Sequence, residues 1–333
     1  MRLENILALT KGTLLGEPSV SFFDSVAFDP AKVKRGSLFI ARSPDMIPEA
    51  LQNGAYGILF DKPTQMGDPE VAWIKVESIE TALKKLLRFY LLEKELQVYG
   101  CDPITLRLSM MVSTPSNFCS IEGSIEQIWE KLWPLEKKSI VLFSPALTDS
   151  DIFIEVSQLI RAQESTITII EQTLFETSFI HNDVFYERQM LSPFFIPYLE
   201  HLLFFYTFLR IPFQLKGFGK IGHFIPVFTN SRLESIEFGT SDRVVIFEPF
   251  LELIDEQIDF LHTQASWAKI LYLLPESMKS SLTIGVENIL FYRYPEEVIS
   301  LLQSKRFHFA LVAGVDKGIL HPARSSMRQL LLF

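Results

Sequence analysis

The first hundred residues alternate short apolar runs with stretches in which apolar side chains recur at helical spacing. Short apolar runs bounded by turn residues are typical of buried strands. Gly54 is a favourable residue just past a helix end, and Ser78 is a good N-cap. We therefore predict strands at 37–41, 56–60 and 71–76, a short helix at 46–53 and a longer helix at 78–95.

The same alternation continues along the rest of the chain. Strands and helices that alternate with short links predict parallel sheets whose faces are covered by helices. The predicted strands are at 104–108, 139–143, 166–170, 243–247, 268–273, 288–291 and 307–312. The predicted helices are at 121–133, 150–161, 197–210, 250–262 and 296–303, and 216–231 is predicted as a loop. We expect an α/β protein with three domains at 1–100, 101–232 and 233–333.

Composition limits the classes of partner. Lys and Arg total 31 and Asp and Glu total 40, so the formal charge is −9 and the surface repels nucleic-acid phosphates and anionic lipid. We therefore expect no nucleic-acid partner. Cys101 and Cys119 are too isolated for a zinc site and are typical of a reducing compartment. Because the amino terminus lacks the apolar segment of a signal peptide, we expect a cytoplasmic protein.

An aromatic-rich segment at 193–213 needs a separate interpretation. Glu200 and Arg210 interrupt it, so its uncharged part is far shorter than the roughly 20 residues that a membrane span requires. We predict no membrane span and a helix buried in the protein interior. A partner-binding surface on the phenylalanine-rich stretch 194–209 is the alternative.

Two motifs near the amino terminus have a specific spacing. Residues 29–41 read DPAKVKRGSLFIA, and residues 50–57 read ALQNGAYG. They resemble the amino-terminal domain of the Mur ligases, cytoplasmic enzymes that use ATP to join amino acids to UDP-N-acetylmuramate. That domain carries an aspartate, a G-x-L-F segment and, after a loop, an A-x-x-x-G-A segment.

Two further stretches resemble the same family in the same order. Residues 231–234 (SRLE) resemble the end of its central domain, and residues 310–318 (ALVAGVDKG) resemble the closing region of its carboxyl-terminal domain. The resemblance implies three α/β domains. These are an amino-terminal UDP-binding-type domain, a central parallel-sheet domain of reduced size and a Rossmann-like carboxyl-terminal domain.

The ATP-binding loop of the family is missing from the sequence. In the family a G-x-x-G-K motif ending in Ser or Thr follows the first strand of the central domain, where backbone N–H groups and the lysine hold the phosphates. The corresponding residues here are 106–118, which contain no glycine or lysine and include Pro115. We therefore expect no ATP site, no cofactor, no metal site and no catalytic residue.

Four residues lie where the resemblance places ligand contacts. Asp29 keeps the motif aspartate, although the two residues after it depart from the family pattern. Arg42 begins a shortened loop and is either a phosphate contact or a solvated loop residue. Glu248 follows the strand at 243–247 and is either a retained acid or an exposed carboxylate at a helix start. Lys317 corresponds to the closing lysine–glycine pair or belongs to a plain turn.

These observations favour a non-catalytic binding or scaffolding protein linked to peptidoglycan precursor synthesis. The expected partner is a UDP-sugar precursor or a cell-wall synthesis protein. One alternative is an active ATP-dependent amide-bond ligase acting on UDP-MurNAc-peptide through an unrecognised nucleotide loop. Another is an enzyme of different chemistry on the same fold, for which Arg42, Glu248, Lys317 and His321 are the residues to inspect.

Overall fold

The structure is a computed structural model that describes residues 1–159, 165–215, 217–218, 221–237, 240–280, 282 and 285–320. His321 therefore lies outside the described residues. The chain divides into two compact units. The first unit is Met1–Arg161 with Phe205–Gln214, and the second is Ala162–Phe204 with Leu215–Phe333. The division into three domains with boundaries at 100 and 232 stays a prediction.

The first hundred residues form the predicted α/β layer. Its strands are β1 (Thr13–Leu15), β2 (Ser25–Ala27), β3 (Ser37–Ala41), β4 (Gly57–Phe60) and β5 (Ala72–Lys75), and its helices are α1 (Leu3–Thr10), α2 (Ile47–Gln52) and α3 (Ile79–Leu92). The sheet order is β1-β5-β4-β3-β2, with β2 to β5 parallel and β1 antiparallel to β5. Ser78 caps α3, as predicted, by accepting a hydrogen bond from the Thr81 N–H.

A second, four-stranded parallel sheet follows in the first unit. Its region contains β6 (Gln97–Gly100), α4 (Pro103–Met111), β7 (Val112–Ser113), β8 (Phe118–Ile121), α5 (Ile125–Leu132), β9 (Ile140–Phe143) and β10 (Ser157–Gln158). The sheet order is β10-β6-β9-β8. One apolar core joins both sheets, because Leu83 and Leu87 of α3 cluster with Ile40 of β3 and Phe143 of β9.

Two predictions in this region are wrong. Residues 104–108 form part of helix α4 rather than a strand, and the strand that precedes this helix is β6. Asp102 at the N-cap and Pro103 in the first helical turn are strong helix-start signals, whereas a short apolar run does not distinguish helix from strand. Of the helix predicted at 150–161, the structure describes residues 150–159, which contain a 3-10 turn, Ser150–Ile152, and the short strand β10 instead of a helix.

The second unit contains a hairpin sheet and a larger sheet. From residue 162 onward the elements are β11 (Ile167–Gln172), β12 (Thr177–His181), β13 (Val184–Gln189), α6 (Ile196–Phe208), β14 (Gln214–Leu215), β15 (Ile225–Thr229), β16 (Arg243–Glu248), α7 (Ile254–Gln264), β17 (Ile270–Pro275), β18 (Ile289–Tyr292), α8 (Glu297–Ser304) and β19 (Phe309–Ala313). The larger sheet has the order β15-β16-β19-β17-β18. Strands β16, β19, β17 and β18 run parallel, and β15 is antiparallel to β16.

Two features of the second unit differ from the predictions. The strand predicted at 166–170 is β11, but it pairs antiparallel with β12, which pairs antiparallel with β13. The predicted loop at 216–231 contains β15. Pro226 lies in β15, and proline in a sheet is confined largely to edge positions such as this one.

The phenylalanine-rich helix is confirmed as α6. Its side chains Leu199, Leu202, Leu203 and Phe205 are fully buried, whereas Phe208 is 58% exposed. A helix that is apolar on all sides is buried in protein or lipid. Within the described residues, every helix is too short or too polar for a membrane crossing.

Candidate functional site

The glycines of the amino-terminal motif are required by the backbone. Gly36 and Gly54 have φ values of 89° and 90°, in the left-handed region that side chains with a Cβ disfavour. Gly57 lies in β4, where an added Cβ would be 2.5 Å from a ring carbon of Phe23. The motif that carries the resemblance therefore has a structural explanation that involves no ligand.

Asp29 and Arg42 both make local contacts in the first unit. The exposed Asp29 carboxylate accepts a hydrogen bond from the Ala31 N–H at 2.9 Å and caps the turn Pro30–Lys32. The Arg42 side chain, which is 45% exposed, donates from Nε to Oε1 of Glu126 on α5 at 2.7 Å, and Nη2 also donates to this oxygen. Partial burial opposes ionisation of Glu126, but the hydrogen bonds from Arg42 hold the pKa of this carboxyl below its usual range. Arg42 is thus an ion-paired residue, which the sequence did not indicate.

A short turn joins β6 to α4 in the first unit. Only Cys101 and Asp102 separate the last residue of β6 from the first residue of α4. Oδ1 of Asp102 accepts the Thr105 N–H at 2.9 Å, and Oδ2 accepts the Thr105 hydroxyl at 2.6 Å. The segment 106–118, which the sequence comparison assigned to the phosphate-binding loop of the family, begins inside α4.

The two thiols are poor nucleophiles in this environment. Burial raises the pKa of Cys101, and the neighbouring Asp102 carboxylate raises it further. Burial also raises the pKa of Cys119, although Lys131 opposes this shift. Because the thiolate is the reactive form of cysteine, these shifts favour the unreactive thiol. Both cysteines are free.

Glu248 forms a buried polar centre at the carboxyl end of β16. Its side chain is fully buried, and its Oε1 accepts hydrogen bonds from His223 Nδ1 at 2.9 Å and from the Phe250 N–H at 3.1 Å. Its Oε2 accepts from the Phe224 N–H at 3.1 Å and from the Gln257 amide. The expectation of an exposed carboxylate at a helix start is therefore wrong. The sequence did not identify the partners of Glu248, because most of them come from distant positions.

Lys317 lies near the same end of the sheet. It begins the 3-10 turn Lys317–Leu320, which follows β19, and its side chain is exposed. Lys317 and His223 both line a cavity of about 400 Å³ whose other walls are largely aromatic and aliphatic, including Phe195 and Phe218. Parallel sheets commonly bind ligands at their carboxyl edge, so this cavity occupies a favourable place for one.

A metal site needs several donor side chains close together. Among the residues that the structure describes, no cluster of three or more His, Cys, Asp or Glu side chains has a geometry suited to a metal ion. The Glu248–His223 pair contributes two such groups, and the hydrogen bonds above already occupy both carboxylate oxygens. The structure places Asp29 and Arg42 in the first unit and Glu248 and Lys317 in the second.

Comparison with known proteins identifies the fold. Neither protein-family models nor curated protein sequences match the chain. Among solved structures, MurF from Acinetobacter baumannii aligns with a TM-score of 0.53 and 10% identity, over 94% of this chain and 95% of that one. MurF ligase from Thermotoga maritima, solved in complex with ADP, aligns with a TM-score of 0.50 and 13% identity, over 89% of this chain and 94% of that one. The chain therefore has the α/β fold of the Mur ligases, as its sequence motifs led us to expect.

Proposed function

We propose that this chain is a protein of the Mur-ligase fold that does not use ATP and that binds or scaffolds components of peptidoglycan precursor synthesis. The observation that carries the proposal is the turn between β6 and α4. A phosphate-binding loop needs several free N–H groups and a lysine at this place. The two-residue link here has neither the length nor the lysine.

The hydrogen bonds of the turn support the same conclusion. The Cys101 N–H donates to the Phe143 carbonyl at 2.9 Å, and the Thr105 N–H donates to Asp102. Pro103 has no N–H to offer. A triphosphate would also meet the Asp102 carboxylate, and two like charges about 4 Å apart near a protein surface repel by about 4 kcal/mol. The helix start that would attract phosphate is therefore already capped by an anion.

The amino-terminal layer supports a binding role. Its motif segments fold as a regular sheet, and Arg42 keeps part of its guanidinium accessible at the carboxyl end of β3. The expected partner is a UDP-sugar precursor or a cell-wall synthesis protein. The MurF ligase from Thermotoga maritima was solved in complex with ADP. A measurement of nucleotide binding therefore distinguishes this chain from that ligase.

A second candidate is an enzyme of different chemistry that uses the cavity beside His223 and Lys317. The two basic side chains in an otherwise largely apolar lining, with a buried carboxylate behind His223, favour it. It ranks below the binding role because both oxygens of Glu248 already accept hydrogen bonds from the protein, which suits a structural carboxylate.

Isothermal titration calorimetry with MgATP tests the proposal, with Thermotoga maritima MurF as the positive control. We expect no saturable heat from this chain under conditions in which the control binds. Saturable, magnesium-dependent heat from the wild-type chain would overturn the proposal. The Asp102→Asn variant keeps a capping side chain but removes its negative charge. If this variant binds ATP weakly and the wild type does not, the Asp102 carboxylate prevents ATP binding in the wild type.

A parallel titration with UDP-MurNAc-peptide tests the ligand. Saturable heat from this titration supports a precursor-binding role, and an Arg42→Ala variant should then bind more weakly. If the wild-type chain binds neither MgATP nor the precursor, the scaffolding form of the proposal requires a protein partner from cell-wall synthesis. Turnover of the precursor to an amide product would contradict both forms.

A further inference from the structure

A cavity of about 580 Å³ lies at the amino-terminal edge of the larger sheet in the second unit. Arg243 and Phe309, the first residues of β16 and β19, line it. These strands end at Glu248 and Ala313, so the cavity lies at the opposite edge of the sheet from the Glu248 centre. Its volume is within the range of about 300–1,000 Å³ that is typical of small-molecule sites.

Trp267 is the unusual residue of this cavity. Its side chain is 73% exposed, although tryptophan is highly buried on average. The indole makes an edge-to-face contact with Phe309, with ring centroids 6.0 Å apart, and a tilted contact with His308, with centroids 5.8 Å apart. A large aromatic side chain that is mostly accessible to solvent therefore lies at the wall of the cavity.

His308 adds a donor of defined orientation. Its Nδ1 accepts a hydrogen bond from the Lys269 N–H at 2.9 Å. In the neutral imidazole the proton must then be on Nε2, which makes that nitrogen a hydrogen-bond donor. The imidazole thus lies beside Trp267, with its plane tilted by 38° from that of the indole, and has a hydrogen-bond donor at Nε2.

The remaining polar lining carries both signs of charge and both kinds of hydrogen-bonding group. Asp242 supplies acceptors, Arg243 supplies donors, and Gln172 and Gln264 supply both. The pair of opposite charges leaves the lining without net charge, which does not favour a phosphate or another dianion. A hydroxyl group both donates and accepts, so a neutral ligand with many hydroxyl groups matches this lining.

We propose that this cavity binds a neutral saccharide, with one sugar ring packed against the exposed face of Trp267. The aliphatic C–H face of a pyranose covers the indole, and its hydroxyl groups take the hydrogen bonds of Asp242, Arg243 and His308. This cavity contains none of the residues on which the proposed function rests. The saccharide proposal therefore does not depend on whether the chain binds ATP.

Saturation-transfer difference NMR tests the proposal, because it detects weak binding of small ligands. The probes are glucose, galactose, mannose, N-acetylglucosamine, cellobiose and glucose 6-phosphate, each added to the full chain. We expect transfer from the protein to the ring protons of at least one neutral sugar. Trp267→Ala should weaken this binding by about tenfold, which is the scale of an aromatic stacking contact.

Two controls make the result specific. Phe22→Ala removes an exposed aromatic side chain from the first unit and should leave sugar binding unchanged. Gln264→Ala should weaken binding without disturbing the indole. The proposal is overturned if no neutral sugar receives saturation, if only glucose 6-phosphate does, or if Trp267→Ala binds like the wild type. A change of oligomeric state in Trp267→Ala, seen by sedimentation and without any loss of sugar binding, would assign the tryptophan to a protein interface instead.

Discussion

Replacing Glu248 by leucine is expected to destabilise the second unit strongly. Leucine fills a similar volume but accepts no hydrogen bond, so the change isolates the polar contacts from cavity formation. The carboxylate is fully buried and serves two backbone N–H groups, those of Phe224 and Phe250, along with the side chains of His223 and Gln257. The two backbone donors cannot rotate toward new acceptors.

The magnitude follows from these donors. A buried donor left without an acceptor costs about 1–3 kcal/mol, so two backbone amides alone cost about 2–6 kcal/mol. Glu248→Gln should cost less, about 1–3 kcal/mol, because one carbonyl oxygen remains. The amide of Gln257 can also flip, since its Oε1 is buried without a hydrogen-bond partner in the wild type. The expected order of stability is wild type, then the glutamine variant, then the leucine variant.

Fluorine NMR of chains labelled with 5-fluorotryptophan measures this effect during urea unfolding. The chain has four tryptophans, of which Trp73, Trp129 and Trp133 lie in the first unit and Trp267 lies in the second. The resonance assigned by Trp267→Phe therefore reports on the second unit. Its unfolding midpoint should fall in both Glu248 variants, with the larger decrease in the leucine variant.

Glu252→Leu is the matched control, because Glu252 is exposed and substitutions at such positions usually change stability by less than about 0.5 kcal/mol. An unchanged or higher Trp267 midpoint in Glu248→Leu would show that the Glu248 carboxylate does not stabilise the second unit. A buried carboxylate that lowers stability is expected where the group serves a chemical role.

Three further predictions concern the first unit. Asp102→Ala removes the α4 cap and should lower the free energy of unfolding by about 1 kcal/mol in urea titrations. Gly57→Ala should cost about 1–3 kcal/mol by the same measurement, because the new Cβ would overlap the Phe23 ring; equal stability would show that the ring moves freely. Glu126→Gln should lower stability by less than about 1 kcal/mol at neutral pH. Because pairing with Arg42 lowers the pKa of Glu126 in the folded chain, this difference should be fully present above the ordinary glutamate pKa of 4.5 and should disappear as the pH falls through the lower folded-state pKa.

The sequence predicted those elements in which local signals and tertiary packing agree. The strand predicted at 37–41 coincides with β3, which is buried at every position and lies in the interior of its sheet. The glycine positions of the motif were informative for the same reason, since Gly36 and Gly54 satisfy backbone requirements of the fold. The prediction at 104–108 failed because a short apolar run fits a helix as well as a strand, and Asp102 caps a helix at this place.

The candidate site was harder to predict because its contacts are non-local. Glu248 is bonded to His223, which lies 25 positions away, and Arg42 is bonded to Glu126, which lies 84 positions away. No local periodicity encodes such pairs. A carboxylate that directly follows the apolar strand 243–247 was the one available signal, and carboxylates are usually exposed, so it did not predict the burial of Glu248.

The proposed function requires that the turn between β6 and α4 does not hold the phosphates of ATP. The most direct test follows the backbone amide resonances of Gly100, Cys101, Asp102 and Ile104 by NMR while MgATP is added to the full chain. We predict that these resonances do not move in a saturable way. Saturable shifts that depend on magnesium and concentrate at these four amides would contradict the account.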